Sequence, residues 1–122
     1  MVSIGVPWQK VQTVVETPSY LAVACKLFSE KQRDQIVAMV AAYPECGDVM
    51  PGTGGFRKVR VAREGMGKSG GARVIYMWRN EQFPAFLITV FSKNRKASLT
   101  KAERNALKKR ADGIFEGYGV KR

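Results

Sequence analysis

The sequence contains no histidine. That absence excludes Ser-His and Cys-His nucleophile systems, and with them a ribonuclease mechanism that passes protons between two imidazoles. Its two cysteines, Cys25 and Cys46, stand in no metal or redox spacing and cannot make a disulfide framework, so both read as reduced, structural thiols. Acidic residues are not grouped at metal-ligand spacing either, which points away from metal-dependent hydrolysis and leaves no cofactor implied. No apolar run approaches the roughly 18 residues needed to cross a bilayer. The string Leu21-Ala22-Val23-Ala24-Cys25 has the look of a lipoprotein cleavage box, but Glu16 and Pro18 interrupt the apolar stretch such a signal requires. The expectation is a cytoplasmic protein that does not associate with membranes.

Negative charge is scarce as well: 10 Asp and Glu stand against 21 Lys and Arg, a formal net charge of +11. The excess is confined to one part of the chain. Residues 1–50 carry four basic and five acidic side chains, whereas residues 51–122 carry the other seventeen basic ones and only five acids. Solubility alone requires no such segregation, and a polyanion, above all nucleic acid, is the partner it suits. The chain's 122 residues suffice for one modest core, expected as a single domain over 11–118 with an N-terminal extension, 1–10, and a short tail, 119–122.

Hydrophobic patterning predicts an α+β domain. Gln12 to Glu16 is rich in β-branched residues and suits a first strand, which Thr17-Pro18 ends while offering a helix N-cap and first helical position. Ser29 and Gln32 have capping-box spacing, and Ile36, Val40 and Tyr43 fall on one face of the helix that Pro44 stops. Pro51-Gly52-Thr53-Gly54-Gly55 is a turn. It is only superficially a phosphate loop, because the next residues, Phe56 to Ala62, alternate as a strand rather than open a helix. In that strand Val59 and Val61 take one face, and Lys58 and Arg60 the other. A glycine-rich loop, Glu64 to Gly71, leads to a second strand, Arg73 to Trp78. A third, Phe86 to Phe91, is apolar on both faces and therefore central. Thr100 and Glu103 form another capping box, opening a helix whose Ala102, Ala106, Ala111 and Ile114 suit packing on the sheet. The expected order is β-α-α-β-β-β-α: a small antiparallel-type sheet with an N-terminal helix pair and a C-terminal helix.

Any catalysis must then use Lys, Arg, Tyr or an isolated carboxylate. Three basic clusters lie beside apolar segments that fix their backbone: Lys58 with Arg60, Lys68 with Arg73, and Lys93-Asn94-Arg95-Lys96. Adjacent strands would bring them to one end or face of the sheet. Charged edges also protect sheets from aggregation, so each cluster alone has a purely solvated alternative. Lys108-Lys109-Arg110 reads as the solvated face of the last helix. Tyr76 and Trp78 share a strand face and could stack on a base; Trp78 reads as core and Tyr76 remains open.

The strings Pro51 to Arg60, Gly67-Lys68-Ser69-Gly70-Gly71-Ala72-Arg73-Val74-Ile75-Tyr76 and Lys93-Asn94-Arg95-Lys96, in this order of elements, resemble the RelE/HigB family of bacterial type II toxins over about residues 11–117. The resemblance implies a compact fold shared with small microbial ribonucleases. It also implies ribosome-dependent cleavage of messenger RNA in the A site, contact with ribosomal RNA, and a cognate antitoxin, expected to be of the helix-turn-helix type. By position, Lys58 and Arg60 would bind the phosphate from the strand, with Lys68 reaching in from the loop. Arg73 would clamp the transition state, and Lys93 and Lys96 would bind phosphate or move protons, flanked by the RNA-binding Asn94 and Arg95. A lysine ionises near about 10.4, and crowded like charges lower that value toward a usable base. Several relatives carry a tyrosine just after the third cluster, where this chain reads Ser98-Leu99-Thr100, so the general base stays open. Two alternatives stand beside this reading: a ParE-like inhibitor of DNA gyrase without nuclease activity, and an RNA-binding module that leaves RNA intact.

Overall fold

A computed structural model describes residues 11–62, 71–92 and 100–117. Strand β1 (Val14–Glu16) leads into helices α1 (Pro18–Leu27) and α2 (Glu30–Ala42). Strands β2 (Asp48–Val49), β3 (Phe56–Val61), β4 (Ala72–Met77) and β5 (Ala85–Ser92) follow, and helix α3 (Lys101–Gly117) closes the described chain. The helices start where their caps dictate. Thr17 Oγ1 accepts from the Tyr20 amide at 3.2 Å, and Ser29 Oγ accepts from the Gln32 amide at 3.1 Å. At α3 the box is reciprocal: the Thr100 amide donates to Glu103 Oε1 at 2.9 Å and the Glu103 amide to Thr100 Oγ1 at 3.1 Å.

Two features of the sheet differ from the sequence expectation. The additional strand β2 has only two residues, too few to show any periodicity, and is defined by pairing with β3 (Asp48 with Lys58, Val49 with Arg57). The sheet order is β1-β5-β4-β3-β2, and β1 runs parallel to β5, so the sheet is mixed rather than purely antiparallel. Beyond the reach of β1, the edge of β5 is closed by the start of α1. There Thr17 Oγ1 donates to the Leu87 carbonyl at 2.7 Å and Ser19 Oγ to the Ile88 carbonyl at 2.8 Å.

Both faces of the sheet are covered. Tyr20, Ala24, Ile36 and Val40 of α1 and α2 pack with Ala72, Val74, Tyr76, Leu87 and Val90 on one face. Ala111, with Leu107 and Ile114 of α3, packs with Phe56, Ile75, Met77, Phe86 and Ile88 on the other. The two inner strands, β4 and β5, are therefore apolar on both faces, as a doubly covered sheet requires. A bulge in β5 sits between the pairs Tyr76–Leu87 and Ile75–Thr89. It reverses the parity of the strand, so Leu87 and Val90 both reach the α1/α2 layer while Ile88 and Phe91 both belong to the α3 layer.

Three expected packing residues are displaced. Tyr43 caps the end of α2 with non-helical angles and is exposed, because the helix finishes at Ala42. Ala102 and Ala106 are also exposed; the inner stripe of α3 is Leu107, Ala111 and Ile114, at helical spacing, with the larger Leu107 doing the covering. Cys25 and Cys46 are free thiols at exposed positions. In the Pro51–Gly55 turn, Gly52, Gly54 and Gly55 have φ of 77°, 80° and 118°, and buried Thr53 ties the hairpin by donating to the Met50 carbonyl and accepting from the Phe56 amide.

Tyr20 is fully buried, and its hydroxyl has no hydrogen-bond partner. Burial, assisted by the Glu16 carboxylate, pushes its pKa from 10.0 up to about 12. The folded state therefore favours the protonated phenol, and this share of stability is complete below the unfolded pKa of 10.0 and lost as the pH rises toward about 12. Tyr20→Phe should be at least as stable as the parent at pH 7, since it removes an unsatisfied buried hydroxyl. Urea midpoints measured from pH 9 upward should fall less for Tyr20→Phe than for the parent; identical declines would show that Tyr20 does not carry the alkaline transition.

Candidate nucleic-acid interface

The register of the three longest strands builds the α3 face of the sheet as rows. The first is Phe56–Met77–Phe86, the second Lys58–Ile75–Thr89, and the third Arg60–Arg73–Phe91. Burial falls from row to row. Phe56, Met77 and Phe86 are buried beneath α3, whereas in the third row Arg60 is exposed and Arg73 and Phe91 are half-buried. Among the described residues, helix α3 covers one part of this face and does not extend over the end bearing Arg60 and Arg73.

Arg60 and Arg73 are direct cross-strand partners. Side chains so placed have Cβ atoms about 4.5–5.5 Å apart, and like charges there destabilise a sheet. Neither these arginines nor Lys58 forms an ion pair with a described carboxylate, and the Arg73 Nη1 is buried without a hydrogen-bond partner. An anion bridging the two guanidiniums would satisfy both. A phosphodiester offers the matching geometry, because guanidinium donates parallel hydrogen bonds to two phosphate oxygens.

Not every sequence candidate falls here. Arg57, inside the same basic string, lies on the opposite face, where its guanidinium stands 5.7 Å from the Trp78 ring centroid and donates to the Gly47 carbonyl at 2.8 Å. Trp78 is half-buried against the α1/α2 layer, and its Nε1 donates to Gln12 Oε1 at 3.0 Å. Tyr76 requires a correction as an RNA-binding residue. Its ring is wholly buried on the α1/α2 side, where the hydroxyl donates to the Pro44 carbonyl at 2.7 Å and accepts from the Gly47 amide at 2.8 Å. A ring with no exposed face cannot stack on a base. Its role is to lock the α2–β2 connection, where a Cβ on Gly47 would come within 2.8 Å of the Lys58 carbonyl oxygen and 2.9 Å of Tyr76 Cε1. Lys68, Lys93, Asn94, Arg95 and Lys96 lie outside the described residues.

Two residues of the open end were not singled out by sequence. Phe91 reaches it only because of the bulge, and Leu107 is one apolar residue in a helix whose alanines look equally suited to packing. Among the described residues, no helix is long and apolar enough to cross a membrane.

If the Arg60–Arg73 pair is kept for binding at a cost to folding, neutralising one member should stabilise the protein. Arg60→Thr places a β-former opposite Arg73 and should raise stability by about 0.2–1 kcal/mol at low salt, with the gain shrinking as salt is added. Thermal melts across ionic strength check this, and a salt-independent loss of stability would mean that Arg60 has a structural partner.

A family model described as "RelE toxin of RelE / RelB toxin-antitoxin system" matches residues 26–118, a span that takes in α2, all of β2–β5 and α3.

Proposed function

We propose, from the fact that this chain belongs to the RelE toxin family of RelE/RelB toxin-antitoxin systems, that it cuts messenger RNA in the ribosomal A site by a metal-independent reaction. As the toxin component of such a system it has a cognate antitoxin as its partner, and membership in the family suggests nuclease activity in general. The observation carrying the finer reading is the direct cross-strand pairing of Arg60 and Arg73, neither of which has an ion-pair partner among the described residues.

In the proposed reaction the 2′-hydroxyl of one nucleotide attacks the adjacent phosphorus, the bond from phosphorus to the 5′-oxygen breaks, and a 2′,3′-cyclic phosphate remains. One proton leaves the attacking hydroxyl and another reaches the departing 5′-oxygen, while negative charge builds on the phosphoryl oxygens between them. Lys58 and Arg60 hold the strand by its phosphates, with ribosomal RNA supplying further phosphate contacts to the basic surface. Arg73 stabilises the charge that develops, its backbone being fixed in β4 between two apolar layers. Lys68 is assigned to binding RNA phosphate and Lys93 and Lys96 to phosphate binding or proton transfer, with Asn94 and Arg95 at the RNA; these assignments follow the family pattern. The antitoxin is proposed to be of the helix-turn-helix type.

Mapping RNA 5′ ends after a brief pulse of expression tests the reading. New ends within translated codons are expected, whereas intact messages accompanied by a DNA-damage response would favour gyrase inhibition instead. Arg73→Lys keeps the charge but loses the paired donors, and single-turnover cleavage on programmed ribosomes should slow about 100- to 1000-fold with binding little changed. Cleavage at the parent's rate would reduce Arg73 to one more positive charge.

A further inference from the structure

Beside the arginine pair lies a small cleft of 170 Å³ between β5 and α3, lined by Phe91, Glu103, Ala106, Leu107 and Arg110. We propose that this cleft receives one base of the bound RNA strand, with the Phe91 ring as its stacking platform. The inference deepens the RNA-cutting reading above and rests on it.

Phe91 pairs directly with Arg73 across β4 and β5, so the ring and the guanidinium stand side by side on one face of the sheet. A nucleotide needs that juxtaposition, cation for the phosphate and flat apolar surface for the attached base. The half-buried ring is the third member of the row whose other two members are arginines, so the platform continues the anion site without a break. Beside Phe91 the apolar lining comes from Leu107 and the small exposed Ala106, and the polar lining from Glu103 and Arg110. Neither of these polar groups is idle in the fold. Glu103 accepts from the Thr100 amide in the N-terminal cap of α3, and Arg110 donates to Ser19 Oγ, which ties the helix to the start of α1.

The β5 bulge supports a dedicated role. If the same residues ran in unbroken alternation, Phe91 would fall on the α1/α2 side with Leu87 and would not stand beside Arg73. Stacking is tolerant of base identity because every base presents a π face. The cleft is therefore a positioning subsite: it sets where the neighbouring phosphate lies against Arg73.

The test uses the full chain on ribosomes programmed with a message that is either intact or carries one abasic nucleotide at successive positions of the A-site codon. For the parent, one abasic position should weaken binding roughly 5- to 150-fold. Phe91→Leu, which keeps apolar bulk but has no ring, should show that loss on the intact message and no further loss at the abasic position, with Phe91→Trp restoring discrimination. The salt dependence of binding should be unchanged, since no phosphate contact is removed. Ala106→Met provides a second variant at an exposed helical position: its side chain fills the cleft from α3 and should mimic Phe91→Leu while leaving the melting temperature close to the parent's. Equal sensitivity of the parent and Phe91→Leu to the abasic position would overturn the stacking role, as would parental binding by both variants. A parent that neither binds nor cuts RNA on ribosomes would instead bring down the functional reading on which the proposal rests.

Discussion

Strand β4 is held between two apolar layers, and the remainder of the architecture is arranged around that constraint. Ala72, Val74 and Tyr76 face the α1/α2 pair, while Ile75 and Met77 face α3. Each large apolar side chain so buried contributes about 1.5–3 kcal/mol, and moving the strand by one residue would send every one of them to the wrong layer. Arg73 cannot escape this register. It must lie on the α3 face opposite Arg60, whatever the two charges prefer. The core therefore imposes a like-charge juxtaposition whose cost of a few tenths to one kcal/mol is small beside the burial that enforces it.

Helix α3 decides what becomes of that juxtaposition. Its inner stripe of Leu107, Ala111 and Ile114 covers Phe56, Ile75 and Met77, and its hold on the turn side includes the 3.7 Å ion pair between Arg79 and Asp112. Arg110 reaches past the β5 edge to Ser19, which itself secures the Ile88 carbonyl. These ties fix how far the helix extends across the sheet; among the described residues it stops short of the arginine row and leaves a narrow cleft beside Phe91. In the proposed function this surface is selective in geometry: a pair of fixed guanidiniums is assigned to the phosphate oxygens and a ring to the adjoining base.

Much of this was legible in the sequence, for reasons that differ by element. The caps at Thr17, Ser29 and Thr100 are local chemistry, and the apolar character of Phe86 to Phe91 announces an inner strand, although the centre of the sheet is β4. The alternation in β3 places Lys58 and Arg60 together without knowledge of any neighbour. What could not be read depends on partners distant in sequence. The two-residue β2 exists only through β3, the parallel pairing of β1 is a choice of sheet edge, and the bulge that turns Phe91 toward α3 shows in no residue pattern. Tyr76 was ambiguous because strand alternation gives its face but not its depth; the connection after α2 folds over it and takes its hydroxyl as a clasp. The choice of Leu107 over Ala102 and Ala106 likewise depends on the angle at which α3 meets the sheet.

The central claim is chemical: paired arginines serve a phosphodiester whose own 2′-hydroxyl is the nucleophile. The measurement bearing on it most directly is cleavage by the parent protein of a ribosome-bound message in which the nucleotide on the 5′ side of the cut carries a 2′-deoxyribose. The account predicts that binding persists, that this bond is no longer cut, and that the unmodified message yields a 2′,3′-cyclic phosphate. Cutting of the deoxy-substituted bond at the rate of the unmodified one would contradict it.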